Sequence, residues 1–159
     1  MVTPTPREVL LFTLEDQRYA LPTGDVRELI RAVRLTPLPR APAVVEGLLN
    51  LRGELLPVLD LRRRFRLTPR PLRSSDHLVV ARAGPRSVAL RVDRAEGLLV
   101  LEPGMLDEAP MNLPGVGYVA GALKLPDGLV LLHDLRTFLS EAEALELEQA
   151  LVGQEDSVE

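Results

Sequence analysis

The chain has 159 residues, of which 46% are apolar and 26% charged, with a formal net charge of −4, 3% aromatics and no cysteine. This is the balance of a soluble globular protein long enough to bury a sizeable core. It excludes disulfides, thiolate catalysis and cysteine-ligated metals, and so few rings argue against a stacking platform for single-stranded nucleic acid.

Residues 1–7, with Thr-Pro-Thr-Pro, read as a frayed start. Val9 to Leu14 is a short apolar run, Glu15-Asp16-Gln17 a turn, and Arg18 to Pro22 the returning strand of a hairpin. After Thr23-Gly24, the spacing of Val26, Leu29, Ile30 and Val33 predicts a helix with Asp25 as its N-cap. Pro37, Pro39 and Pro42 forbid its continuation. Val44 to Leu61 then reads as two strands around a tight turn at Arg52-Gly53, where glycine supplies a positive φ. Pro57 inside the second strand indicates an edge or a bulge. Arg62 to Phe65 should form one helical turn, followed by a Pro/Arg/Ser-rich connection over 66–76.

The second half repeats the theme. His77–Ala83 and Arg86–Val92 flank a Gly84-Pro85 turn, and Leu98 to Leu101 is a further apolar run. Residues 102–117 read as a long loop rich in proline and glycine, and Tyr118–Leu125 and Leu129–His133 flank a third turn at Pro126-Asp127-Gly128. From Ser140 the pattern is helical to about 152, opened by a Ser140/Glu143 capping box. Residues 153–159 are expected to be disordered.

The two halves are related. Laid without a gap over 119–139, residues 45–65 match at eight of 21 positions, including Gly47 with Gly121 and Asp60-Leu61-Arg62 with Asp134-Leu135-Arg136. Upstream, Tyr19-Ala20-Leu21 falls on Val88-Ala89-Leu90. The expected fold is therefore mainly β: two small units of about five strands, 8–66 and 77–139, each closing best as a barrel and fused because each alone buries little surface.

Catalytic chemistry is absent from the pattern. His77 and His133 lack metal-ligand spacing. No glycine-rich loop cradles phosphate, and Ser74 and Ser75 have no obvious base. Asp60 and Asp134 occupy equivalent places, so helix capping is a simpler role for them than acid–base work. No cofactor or metal is expected. Charge is uneven: residues 52–73 hold seven arginines against Glu54 and Asp60, and residues 140–159 hold seven acids and no base. Both read as solvated faces, or as a basic partner surface with a solubilising acidic tail. No apolar run is long enough to span a bilayer, so no direct membrane insertion is expected and the chain reads as cytoplasmic.

The stretch Gly47-Leu48-Leu49-Asn50-Leu51-Arg52-Gly53-Glu54-Leu55-Leu56-Pro57-Val58-Leu59-Asp60-Leu61-Arg62, with Pro39-Arg40-Ala41-Pro42 before it, resembles the CheW family of chemotaxis coupling proteins. The likeness spans about 8–140 and is weaker in the second half. It implies two five-stranded SH3-like barrels in pseudo-repeat, with short helices and a C-terminal helix. It also implies a non-enzymatic adaptor, recruited from the cytoplasm to membrane-associated receptor arrays. There it would bridge the signalling tips of chemoreceptors and the regulatory domain of a CheA-type histidine kinase.

The resemblance carries over to particular positions. Arg52 matches a residue implicated in coupling; its guanidinium can fork onto a partner's carboxylates, or hold the two barrels together. Val26, Glu28 and Leu29 match a partner-contact segment, with core packing the alternative for Val26 and Leu29. Gly47, Asn50 and Gly53 would shape the backbone beside that surface. Val92 and Asp93 match a pair near the inter-barrel groove, where a receptor helix would lie. Arg66 and the Arg62-Arg63-Arg64 run depart from the family pattern, leaving the pathway served open. The alternative reading is a small barrel binding nucleic acid through the Arg-rich 52–73 segment, against which stand the net negative charge and scarce rings.

Overall fold

The computed structural model describes residues 7–83, 85–107, 111–113 and 117–156. Glu8–Leu14 (β1) and Gln17–Pro22 (β2) form the first hairpin, with Glu15 in its turn at φ 54°. A 3-10 turn, Thr23–Asp25, leads into Val26–Arg31 (β3). The helix expected here is a strand. Val26, Glu28 and Ile30 are half-buried while Arg27, Leu29 and Arg31 are exposed, a period of two that the helical spacing had masked. Branched Val26 and Ile30 suit a pleated ladder. Asp25 ends the 3-10 turn instead of capping a helix, and Pro22 stands at the cap with no side-chain bond.

Val45–Leu51 (β4) and Glu54–Asp60 (β5) form the central hairpin, followed by Leu61–Arg64 (α1). Asp60 caps α1, accepting from the Arg62 and Arg63 amides. Pro57 lies in an interior strand, not at an edge, one residue before the β5–β7 ladder begins at Val58; the accompanying bulge falls on β4. His77–Ala83 (β6), Arg86–Val92 (β7) and Arg94–Val100 (β8) follow. The expected loop 102–117 contains Leu106–Asp107 (β9), Met111–Leu113 (β10) and the start of Gly117–Val119 (β11); 108–110 and 114–116 lie outside the described residues. Gly121–Leu125 (β12) and Gly128–Leu132 (β13) pair, and Tyr118 belongs to β11 rather than to that hairpin. Asp134 caps the 3-10 turn Leu135–Thr137 as Asp60 caps α1. Ser140 and Glu143 exchange both bonds of a capping box at the head of Glu141–Asp156 (α2). The helix thus continues past 152, and 157–159 lie outside the described residues.

The strands sort into a first sheet, ordered β8-β1-β2-β13-β12-β9, a second, ordered β3-β6-β7-β5-β4, and a separate two-stranded ladder of β10 with β11. The sheets are not divided at the boundary between 8–66 and 77–139. The hairpin β1–β2 sits among strands of the second half, and β6–β7 among strands of the first. The duplication is nonetheless real, down to the register. Val58 opposite Ala89 has its counterpart in Leu132 opposite Ala20, and Leu29 opposite Val79 in Leu98 opposite Leu10. Both outer strands carry a bulge at the same place, with Arg27 the extra residue in β3 and Glu96 in β8.

Each sheet also closes in the same way. The chain leaving β3 returns at Thr36 to pair with Leu48 on β4, and the chain leaving β8 returns as β9 to pair with β12. Gly47 permits the first closure: a Cβ there would stand 2.8 Å from the Thr36 carbonyl oxygen, which accepts from the Leu48 amide. The result is two SH3-like barrels with separate interiors. Leu49, Leu56, Val58, Leu78, Val80 and Ala89 fill one; Val9, Ala20, Leu123, Val130 and Leu132 fill the other. A third, larger core joins the sheets and takes in Leu147 and Ala150 of α2. In it, Phe12 and Tyr19 of the first hairpin occupy positions equivalent to Ala81 and Val88 of the second, so the two hairpins contribute side chains of different size to one core.

Candidate functional site

The β4–β5 turn places two consecutive residues at positive φ, Arg52 at 51° and Gly53 at 91°. Glycine or asparagine is usual there; an arginine is disfavoured because its Cβ crowds the backbone. The Asn50 side-chain oxygen holds the turn by accepting from the Gly53 amide at 2.9 Å. Arg52 projects from it with its side chain 69% exposed and forks onto Glu28 of β3 at 3.2 and 2.7 Å. That hydrogen bond holds the Glu28 carboxyl below the usual carboxylate range. Alongside, Arg27 reaches Glu54 at 3.2 Å and the Ser87 hydroxyl at 3.0 Å. Leu29 and Leu55, both exposed, flank the paired charges.

The fold therefore brings Val26, Glu28 and Leu29 together with Asn50, Arg52 and Gly53 at one end of the second sheet. Val26 is half-buried against the shared core, while Leu29 faces solvent. Gly47 lies inside, under Thr36. Val92 is wholly buried in the core, and Asp93 belongs to a different cluster; neither joins this surface. Arg27 and Glu54 escaped sequence reasoning. Their signal was the pair of opposite charges in Arg27-Glu28, matched by Arg52 and Glu54, and it becomes legible once 26–31 is seen as a strand.

The equivalent end of the first sheet repeats the apolar pattern with different charges. Leu98 and Leu129 stand where Leu29 and Leu55 stand, and both are exposed, as is Val100 beside them. Around them lie exposed Glu96 and an Arg18–Asp127 ion pair at 2.7 Å.

The Arg-rich segment does not form one open basic face. Arg62, its side chain 4% exposed, reaches Asp93 at 2.7 Å and also pairs with Glu15. Arg70 bridges Asp76 at 2.7 Å and Asp93 at 2.9 Å. Arg64 pairs with Glu143 of α2, leaving Arg63, Arg66 and Arg73 exposed. Asp93 is the single residue between β7 and β8, where the chain passes from one sheet to the other, and it also accepts from the Glu15 amide. Arg91, buried, adds Glu46, Asp60 at 3.7 Å and Asp76 at 3.3 Å. Burial raises the Asp76 carboxyl, but hydrogen bonds from Arg70 and the Arg73 amide outweigh it and leave it below its ordinary value. Burial pushes Glu46 the other way, above its ordinary value, against the pull of Arg91. Arg62, Arg64 and Arg70 are neutralised in this way, which weakens the case for nucleic-acid binding through this segment.

His133, equivalent to Leu59, is buried among Tyr19, Phe65 and Phe138 with ring centroids 4.9–5.4 Å away, and neither ring nitrogen has a hydrogen-bond partner. His77 is half-buried and accepts from the Ala95 amide at 3.0 Å. Among the described residues no helix is long and apolar enough to cross a membrane.

A family model described as the CheW-like domain matches residues 8–143. A chemotaxis protein CheW of Treponema pallidum is 25% identical over 146 residues, covering 88% of this chain and 86% of that protein. A chemotaxis protein CheW of Thermotoga maritima is 27% identical over 134 residues, covering 84% of this chain and 88% of that protein. Among solved structures, the scaffolding protein TtCheW of Thermoanaerobacter tengcongensis superposes with a TM-score of 0.78 at 25% identity, over 87% of this chain and 96% of that one.

Proposed function

The chain belongs to the CheW-like domain family, a family of scaffolds rather than enzymes, and from that premise we propose that it couples chemoreceptor signalling tips to the regulatory domain of a CheA-type histidine kinase. The observation that carries this reading is the exposed Arg52 turn. An arginine stands exposed on a tight turn held by Asn50, beside two exposed leucines. A fork-shaped cation flanked by apolar side chains suits a protein partner that offers a carboxylate within an apolar patch. An adaptor must hold two partners at once, and the repeat supplies a second exposed leucine pair on the other sheet with its own charges. Two related but electrostatically distinct faces allow two partners without competition. Contacts of this size are modest singly and act through the multivalency of an array at the membrane, to which the chain would be recruited from the cytoplasm.

The test is retention of the host's kinase and receptors on immobilised chain, wild type against Arg52→Ala, with the variant's fold checked by circular dichroism. Wild type should retain both, and the folded variant should lose at least one. Retention of neither by wild type at low and moderate salt removes the coupling role.

A further inference from the structure

We propose that Arg27 and Glu54 are specificity-determining residues: their charges, set beside Leu29 and Leu55, select the partner that docks on this end of the second sheet. This selection rests on the coupling role above and names what the partner offers: an apolar seat for the two leucines, a carboxylate facing Arg27 and a cation facing Glu54. Arg27 is the extra residue of the β3 bulge, a feature that re-aims a side chain. Its guanidinium reaches Glu54, the first residue of β5, at 3.2 Å and the Ser87 hydroxyl of β7 at 3.0 Å, while Glu28 beside it takes Arg52 at 2.7 Å. The four charges act as one unit. After the Arg52 hydrogen bond, Arg27 also helps to hold the Glu28 carboxyl down, and after Glu28, Glu54 also helps to hold the Arg52 guanidinium up. The Arg27 and Glu54 side chains remain 33% and 50% exposed, so a partner can reach both.

The duplication supplies an internal control against a purely structural role. By register, Leu98 and Leu129 stand for Leu29 and Leu55, but Glu96 stands for Arg27, Gly97 for Glu28 and Gly128 for Glu54. The first sheet closes its barrel without these charges, so closure does not require them. Its own ion pair, Arg18–Asp127, joins different positions, those of Ser87 and Gly53. The exposed leucines repeat and the charges do not, and at the bulge the sign reverses, from Arg27 to exposed Glu96. An exposed ion pair adds little to stability, whereas a like charge set against a partner's is costly in binding. Different charges at matched positions on two similar apolar faces keep each partner from the other's seat.

The experiment exchanges the two residues. Arg27→Glu with Glu54→Arg keeps an internal ion pair, the net charge and the Arg52–Glu28 fork, and its melting should match wild type. Arg27→Gln with Glu54→Gln is a second, milder form that removes the charges without reversing them. Dissociation constants for the purified regulatory domain of the kinase and for a purified receptor signalling fragment are measured separately, beside wild type and Arg52→Ala. Selection predicts that the exchange weakens one of the two by about tenfold or more and the other by less than about twofold, and that the neutral form weakens the same one by a smaller factor. Unchanged affinity for both, with Arg52→Ala still weakening one, overturns the proposal and leaves the coupling role standing. Equal weakening of both also overturns it, because the charges then do not discriminate. Wild type that binds neither removes the coupling role, and this inference with it.

Discussion

Arg52 and Asp93 are both charged, and both were candidates on the strength of a family likeness, yet their surroundings give them different work. Arg52 is exposed on a turn that disfavours it, so Arg52→Gly should keep or raise the melting midpoint while lowering partner retention. Asp93 accepts from Arg62, Arg70 and the Glu15 amide. Asp93→Asn leaves two arginines short of a counter-charge and should cost about 3 kcal/mol by urea denaturation, within the range for breaking a partly buried pair. A loss below about 1 kcal/mol would show that the cluster is not structural.

His133 supplies a pH signature. Burial lowers its pKa from 6.5 to about 4. The unfolded chain takes up the proton below 6.5, but the folded chain does so only near 4. Stability therefore falls as pH drops through that window, by on the order of 3 kcal/mol in total, and levels off below it. Asp25 and Glu46, both raised, act in the opposite sense on acidification. The difference between wild type and His133→Leu isolates the histidine: the variant should be more stable at neutral pH, with a flatter profile between pH 6.5 and 4. Parallel profiles would refute the assignment. The capping roles of Asp60 and Asp134 were legible because Asp-Leu-Arg recurs in both halves. The buried histidine was not, because nothing local says that a strand end will be enclosed by Phe65 and Phe138.

At the scale of elements, hairpins and caps were readable and long-range pairing was not. β1–β2, β4–β5 and β6–β7 follow from apolar runs around turn residues, and α2 from its capping box. β3 was misread because Val26, Leu29, Ile30 and Val33 satisfy a helical spacing, while the decisive fact is the partner strand β6, 46 or more residues away. β9 to β11 were hidden in a loop rich in proline and glycine because they are two or three residues long. The helix α2 makes its own prediction. It buries Leu147 and Ala150, and it is tied to α1 by Arg64–Glu143 and to β7 by Arg86–Glu148. Ser140→Ala removes the cap from the Glu143 amide and should cost about 1 kcal/mol of stability. Amide exchange should show the loss first in the opening turn of α2 and leave the β4–β5 hairpin protected.

For the whole molecule, the duplication was visible in the sequence but its assembly was not. Shared residues such as Gly47 with Gly121 reveal two related units; only the ladders reveal that the units have traded their hairpins. The shared core draws on both halves, with Tyr19 stacked on Phe12 and Phe65, a packing between distant segments that a linear pattern does not display. The two sheets, joined through one core, each present an exposed leucine pair.

The most direct test of that role is co-sedimentation of a purified receptor signalling fragment, assembled on vesicles, with the purified regulatory domain of the kinase, in the presence and absence of this chain. The account predicts that the kinase domain pellets with the receptor several-fold more when the chain is present, and that Arg52→Ala abolishes the increase. Kinase sedimentation that is the same with and without the chain would contradict it.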